Sequence, residues 1–177
     1  MAGDKALLEV DGAPLIAWPL AALGAVLADV LVVARADSAL PTGLGVDVWT
    51  EPGDTSRHPL RGIVHALRGA GGRDIVVCAV DMPCVTPATV RILATVMPGR
   101  TVIAADADGR AQPLLARYAA GSLAALVAAP PDASLTATVL ALDHVLLEVP
   151  DDELVNVNTA ADIPAAEAAL RGRRAPS

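Results

Sequence analysis

Six small, mostly β-branched residues, Ile75-Val76-Val77-Cys78-Ala79-Val80, run straight into a carboxylate, Asp81. An apolar run without polar alternation predicts a strand buried on both faces, the pattern of a parallel sheet. Asp81 then stands at the carboxyl end of that strand, the edge of an open α/β sheet where ligands bind. A carboxylate with no basic residue for several positions on either side suits a hard divalent cation such as Mg²⁺. The same residue also reads as the start of a turn that prepares a helix after Pro83.

Strand and helix signals alternate along the rest of the chain. Residues 6–10, 29–34, 46–49, 101–105, 114–118 and 144–149 read as further strands. Helices are expected over 14–27, 60–67, 87–97, 121–129, 136–142 and 161–171, with Thr86 as an N-cap. Such alternation predicts βαβ units and a three-layer α/β/α architecture around a mostly parallel, Rossmann-like sheet. One domain over residues 1–170 and a basic tail over 171–177 is the simplest division, because neither an internal repeat nor a composition shift divides the sequence.

Composition narrows the classes of partner. The 177 residues are 54% hydrophobic, which excludes a disordered chain. With no Phe, one Tyr and two Trp, aromatic platforms for stacking bases are nearly lacking, and a net charge of −7 argues against a nucleic acid partner. The uncharged stretch 12–28 contains Pro14 and Pro19 and is short for a membrane span. The acidic residues Asp4, Glu9 and Asp11 ahead of it do not make a signal peptide. Cys78 and Cys84 suit a reducing compartment, Cys78 as a small core residue, so a cytoplasmic protein is expected.

Three segments go beyond fold class. Asp4-Lys5-Ala6-Leu7-Leu8-Glu9-Val10-Asp11-Gly12-Ala13-Pro14-Leu15 resembles the lysine-bearing start of the molybdenum cofactor guanylyltransferase (MobA-like) nucleotidyltransferases. Val80-Asp81-Met82-Pro83-Cys84-Val85-Thr86-Pro87 is similar to that family's Asp-Met-Pro metal segment. Asn156-Val157-Asn158-Thr159-Ala160-Ala161-Asp162-Ile163 is similar to its late Asn-x-Asn-Thr motif. The order and separations fit as well, and the similarity runs from residue 1 to about residue 170.

The resemblance implies a Mg²⁺-dependent enzyme that transfers GMP from GTP to molybdopterin carrying molybdenum, releasing pyrophosphate. It implies Lys5 on the donor phosphates, Asp81 on Mg²⁺, and Glu51 near the guanine or its ribose. Pro59-Leu60-Arg61-Gly62 matches a segment that closes over the nucleotide, which makes Leu60 and Gly62 nucleotide contacts. Gln112 and Pro113 match a segment facing the acceptor, and Asn156 and Asn158 shape the acceptor or metal side. Contacts with other cofactor-maturation proteins are implied too. The chemistry accords with these residue types: attack on an α-phosphorus builds charge on non-bridging oxygens and needs a metal, a cation and positioning more than a covalent nucleophile.

Each residue also has a plainer reading. Lys5 near a chain start is often a solvated lysine. Asn156 and Asn158 are common turn residues, and Thr159 is a plausible N-cap for the last helix. Glu51, Asp54, Arg57 and Arg61 suit a solvated loop, and His58 and His65 a loop and a helix surface.

The sequence departs from the family at its start. There the family has a strand and a glycine-rich loop that wraps the donor phosphates; here Met1-Ala2-Gly3 stands where the tail of that loop falls. The strands at Asp29 and Ile75 are therefore expected to lack a shared neighbour, with poor stability and weak donor binding. A start upstream of Met1 is the expected reason. Val32-Val33-Ala34-Arg35 stands in place of the family's asparagine after the second strand, which bears on guanine recognition and leaves CTP as an alternative donor. Another phosphorylated acceptor, as in close variants of the family, is a further alternative. A non-catalytic relative that binds or regulates is the remaining alternative.

Overall fold

The computed structural model describes residues 5–52, 58–130 and 132–174. Asp4, Asp54, Arg57, the segment Met1-Ala2-Gly3 and the end of the tail lie outside them.

The chain opens with a 3-10 turn, Lys5–Leu7, and a hairpin of β1 (Glu9–Val10) and β2 (Ala13–Pro14). Its two-residue turn, Asp11 and Gly12, has φ of 49° and 77°. Positive φ at both positions is the type I′ geometry that matches strand twist, and Asp-Gly is a preferred pair for it. This hairpin draws Pro14 into a strand, so α1 spans only Ala17–Gly24 and not the predicted 14–27. Pro19 is accommodated as the third residue of α1, where the missing N–H has no intrahelical acceptor.

β3 (Leu31–Ala34) and β4 (Asp47–Thr50) pair in parallel. The helix α2 (Leu60–Gly69) follows, then β5 (Ile75–Cys78) and α3 (Pro87–Thr95). Thr86 caps α3 as predicted, its hydroxyl accepting from the Thr89 N–H, with Pro87 in the first turn. β6 (Thr101–Ala105) and β7 (Ala111–Tyr118) form a hairpin, two short helices α4 (Leu123–Ala128) and α5 (Leu135–Leu140) follow, and β8 (His144–Glu148) and α6 (Ile163–Arg174) close the chain.

The four-stranded sheet has the order β5-β7-β6-β8. β6 and β8 are parallel and β7 runs antiparallel to both β5 and β6, so β5, β6 and β8 share one direction and β7 alone is reversed, in keeping with the mostly parallel sheet predicted. The cause of the reversal is the short turn through Asp106–Arg110; a parallel pair needs a crossover of a dozen residues or more. The expected three layers are present. Ala22 and Leu23 of α1 pack with Val90 and Leu93 of α3 on one face, and Ile63, Leu67, Leu126 and Val139 of α2, α4 and α5 cover the other.

Among the described residues no hydrogen-bonded strand joins β3 to β5, so the two lie in separate sheets. Arg73 and Asp29, just ahead of β5 and β3, form an exposed ion pair at 2.6 Å between the two strand starts. β3 and β5 are only half-buried along their length, against the two-sided burial expected of them, while β6 is buried throughout. A strand with one unpaired edge keeps backbone and side-chain surface that a central strand loses.

Residues 171–174, the described part of the predicted basic tail, continue α6. Arg171 pairs with Glu167, and Arg173 reaches Asp152 and the carbonyl of Cys84. Among the described residues no helix is long and apolar enough to cross a membrane.

Candidate active site

β5 ends at Cys78, but its pairing continues one step further, the Ala79 N–H donating to the Leu114 carbonyl at 2.8 Å. A turn follows, Met82 N–H to Ala79 carbonyl, and places Asp81 at the carboxyl edge of the sheet. The predicted site residue is therefore where the apolar run puts it. Beside it lies Lys5, whose ammonium donates to Asp81 Oδ2 at 3.2 Å and to Asn158 Oδ1 at 2.7 Å. Residues separated by 76 and 153 positions thus meet at one nitrogen.

The segment carrying Asn158 is fixed on both sides. The Val157 N–H donates to the Asp81 carbonyl at 2.8 Å, and the Val157 side chain is fully buried with Val10, Leu15, Cys84 and Ala166. Asp162 Oδ2 accepts from the N–H groups of Asn158 and Thr159, at 2.9 and 2.8 Å, and from the Thr159 hydroxyl at 3.1 Å. These bonds, the Thr159 backbone bond foremost, hold the Asp162 carboxyl below its ordinary range, and Lys5 adds to the effect.

A cavity of about 230 Å³ adjoins Asp81. Gln112, Pro113 and Asn156, the predicted acceptor-side residues, line it together with Met82, Leu135 and Thr136. Gln112 and Pro113 reach it through a break in register. Ile103 and Ala104, adjacent on β6, face Ala116 and Gln112 on β7, so Pro113–Leu115 bulges away from β6. Proline has no N–H to give the ladder and suits such a bulge. The buried Tyr118 hydroxyl donates to the Pro113 carbonyl at 2.7 Å and holds the bulge in place. Leu135 and Thr136 were not anticipated; they come from a short helix whose sequence carries no site signal.

The predicted base-side residues form a second group. Glu51 extends from the end of β4, its N–H on the Ala34 carbonyl at 2.8 Å. A Cβ at Gly62 would lie 2.8 Å from Glu51 Oε1, so the absence of a side chain there is what lets the carboxylate lie against α2. Leu60, by contrast, packs against the core on the α2 side. His58 accepts from the Leu60 N–H at the start of the helix, and His65 meets the Trp49 ring edge-on at 6.1 Å. A separate open cleft of about 700 Å³ lies against that ring, lined also by Val48, Thr50 and Arg68, and shares no residue with the Asp81 cavity.

Cys78 is not a nucleophile in this setting. Burial, and then the neighbouring Asp81 charge, push its thiol up to about 12, so it stays protonated.

Asp81 and Asn158 present two hard oxygens converging on the Lys5 ammonium, and the same pair would suit Mg²⁺ if other oxygens completed its shell. Among the described residues no group of three or more His, Cys, Asp or Glu could hold a metal unaided.

Known proteins share this arrangement of sequence and fold. The family model of the MobA-like NTP transferase domain matches residues 1–145. The molybdenum cofactor guanylyltransferase of Cereibacter sphaeroides is 31% identical over 175 residues, covering 95% of this chain and 89% of that protein. Molybdopterin-guanine dinucleotide biosynthesis protein A of Archaeoglobus fulgidus superposes with a TM-score of 0.70 at 22% identity, over 95% of this chain and 91% of its own. The 2-C-methyl-D-erythritol 4-phosphate cytidylyltransferase of Thermus thermophilus does so with a TM-score of 0.67 at 23% identity, over 96% and 95%. The chain, with its lysine, aspartate and asparagine gathered at one sheet edge, belongs to the MobA-like nucleotidyltransferase family.

Proposed function

We propose that this protein transfers GMP from GTP to molybdenum-bearing molybdopterin in the presence of Mg²⁺, in a cytoplasmic setting. The observation that carries this is the meeting of Lys5, Asp81 and Asn158 beside the cavity lined by Gln112, Pro113 and Asn156. The likeness to the Cereibacter guanylyltransferase supports the choice of donor and acceptor. The two cysteines are free, in keeping with a reducing compartment.

An oxygen of the acceptor phosphate attacks the α-phosphorus. The bond from that phosphorus to the bridging oxygen breaks, and pyrophosphate leaves with the electron pair. Lys5 neutralises phosphate oxygens, and Asp81 and Asn158 orient the metal-facing side. Mg²⁺ supplies Lewis-acid charge to the reacting phosphate when bound. Gln112 and Asn156 offer amides that orient the acceptor in a cavity whose other lining is Asp81, Thr136 and the apolar Ala79, Met82, Pro113, Leu114 and Leu135. Glu51, placed against Gly62, is the candidate contact for the base or ribose, and Leu60 shapes the helix start beside it.

Calorimetric titration with GTP and then CTP in Mg²⁺, followed by transfer assays of the Asp81→Asn protein, tests this. GTP binding in preference to CTP, and a loss of turnover of roughly a hundredfold or more in the variant, are expected. CTP preference would move the protein to the cytidylyl branch, which the fold likeness to the Thermus enzyme accommodates. Unchanged turnover in Asp81→Asn would end the metal assignment.

A further inference from the structure

The ammonium of Lys5 lies where the metal's protein oxygens converge. Its two acceptors are Asp81 Oδ2 and Asn158 Oδ1, at 3.2 and 2.7 Å. The backbones that carry both acceptors are tied down: the Asp81 carbonyl is bonded to the Val157 N–H, and the Asn158 N–H to Asp162. A dication bonded to both oxygens would stand within a few ångströms of the ammonium, and like charges that close repel by several kcal/mol even at an effective dielectric constant of about 20. The two cations therefore compete for this oxygen pair.

Ligand count decides which one holds the pair in the free protein. An ammonium with three donors is served by two oxygens and water. A Mg²⁺ or Mn²⁺ ion wants about six oxygens, and among the described residues no cluster of three acidic, His or Cys side chains supplies them. A triphosphate changes both sides of this competition. Its oxygens complete the metal's shell and offer the ammonium new anionic partners.

We propose that Lys5 is a resident counter-ion that occupies the Asp81–Asn158 oxygen pair until a metal–triphosphate complex displaces it, so that the metal enters with the nucleotide and not before it. This rests on Asp81 being the metal ligand of the proposed reaction.

The test is titration of the full chain with Mn²⁺ alone, following free Mn²⁺ by electron paramagnetic resonance. Lys5→Met should bind Mn²⁺ at least roughly tenfold more tightly than the unaltered protein, because a repelling charge leaves while both oxygens stay. Adding Asp81→Asn to Lys5→Met should abolish the gain. Lys5→Gln, also neutral, should reproduce it, which separates the effect from a folding fault in one variant. A Kd for Mn²⁺ in both neutral variants that stays within about twofold of the unaltered protein overturns the proposal. So does a gain that survives Asp81→Asn. Titration with Mn²⁺ and GTP together separates the two levels: if Asp81→Asn leaves that binding untouched, the metal role of Asp81 fails. If it weakens that binding while Lys5→Met has no effect on Mn²⁺ alone, only the counter-ion role fails.

Discussion

Val157 and Asp81 are joined by a 2.8 Å backbone hydrogen bond, from the N–H of one to the carbonyl of the other. Through it the late asparagine segment is hung on the end of β5. Val157 points into a dry cluster with Val10, Leu15, Cys84 and Ala166, so its neighbours Asn156 and Asn158 are left to the site side. An apolar residue between two asparagines thus acts as the anchor, and the amides take up the chemistry.

Alternation of this kind separates stability from function at adjacent positions. Val157→Ala should cost about 1–3 kcal/mol of unfolding free energy, read from urea midpoints, and alter turnover little, since the backbone bond survives. Asn158→Ala should do the reverse, losing turnover with a stability change under about 1 kcal/mol, as expected for a partly exposed polar contact. Equal losses of stability in both variants would contradict the anchor role.

The contrast shows why parts of the site were legible in the sequence. An unbroken apolar run ending in Asp81 has one easy solution, a strand with a carboxylate at its end. Thr86 followed by Pro87 has one easy solution as well, a helix start. Lys5 and Asn158 carried no local signal and were placed by the family likeness of their segments. Leu135 and Thr136 stayed hidden because their place at the cavity depends on how α5 lies across β7, a tertiary matter with no trace in local pattern. Proline suits both a first helical turn and a strand end, and at Pro14 the Asp11-Gly12 turn decides for the strand. The run 114–118 looks alike in either orientation, and the Asp108-Gly109 turn that joins it to the strand before it is what makes its reversal legible.

Gly69 and Trp49 offer a sharp steric test. A Cβ at Gly69 would lie 2.0 Å from Trp49 Cζ3 and 2.5 Å from Cη2. Alanine near the end of a helix is otherwise favourable relative to glycine by up to about 1 kcal/mol. Here a rigid ring must move, and Gly69→Ala should lose roughly 1–3 kcal/mol. In the background of Trp49→Ala the same change should be neutral or stabilising. A double-mutant cycle by thermal melting checks this, and additivity would show that ring and helix are not in contact.

The split between β3 and β5 should be visible in amide hydrogen exchange. β6 is buried throughout and paired on both sides, by β7 and β8. β3 is paired by β4 alone and β5 by β7 alone among the described residues. Exchange of β6 amides should track global unfolding, whereas β3 and β5 amides that point away from their partners should exchange orders of magnitude faster. Uniform protection across β3, β5 and β6 would mean that the two sheets are joined in solution.

Stability should fall on the alkaline side, and Cys78 should carry part of that fall. Its thiol is raised from 9.0 to about 12, chiefly by burial and secondarily by Asp81, and its Sγ lies 3.7 Å from the Ala79 carbonyl, as a protonated donor would. The sign follows from linkage. Above the unfolded value the thiol ionises in the unfolded chain but not in the folded one. The unfolded state then binds fewer protons, and unfolding is favoured progressively as pH rises toward the folded value. Burial raises Cys84 and Tyr118 as well, with the same sign, Tyr118 beginning from its higher ordinary value. Urea midpoints measured at about pH 8 and about pH 11 should therefore decline in the unaltered protein and decline less in Cys78→Ala. Parallel declines in the two proteins would show that the thiol is already ionised, or already solvated, in the fold.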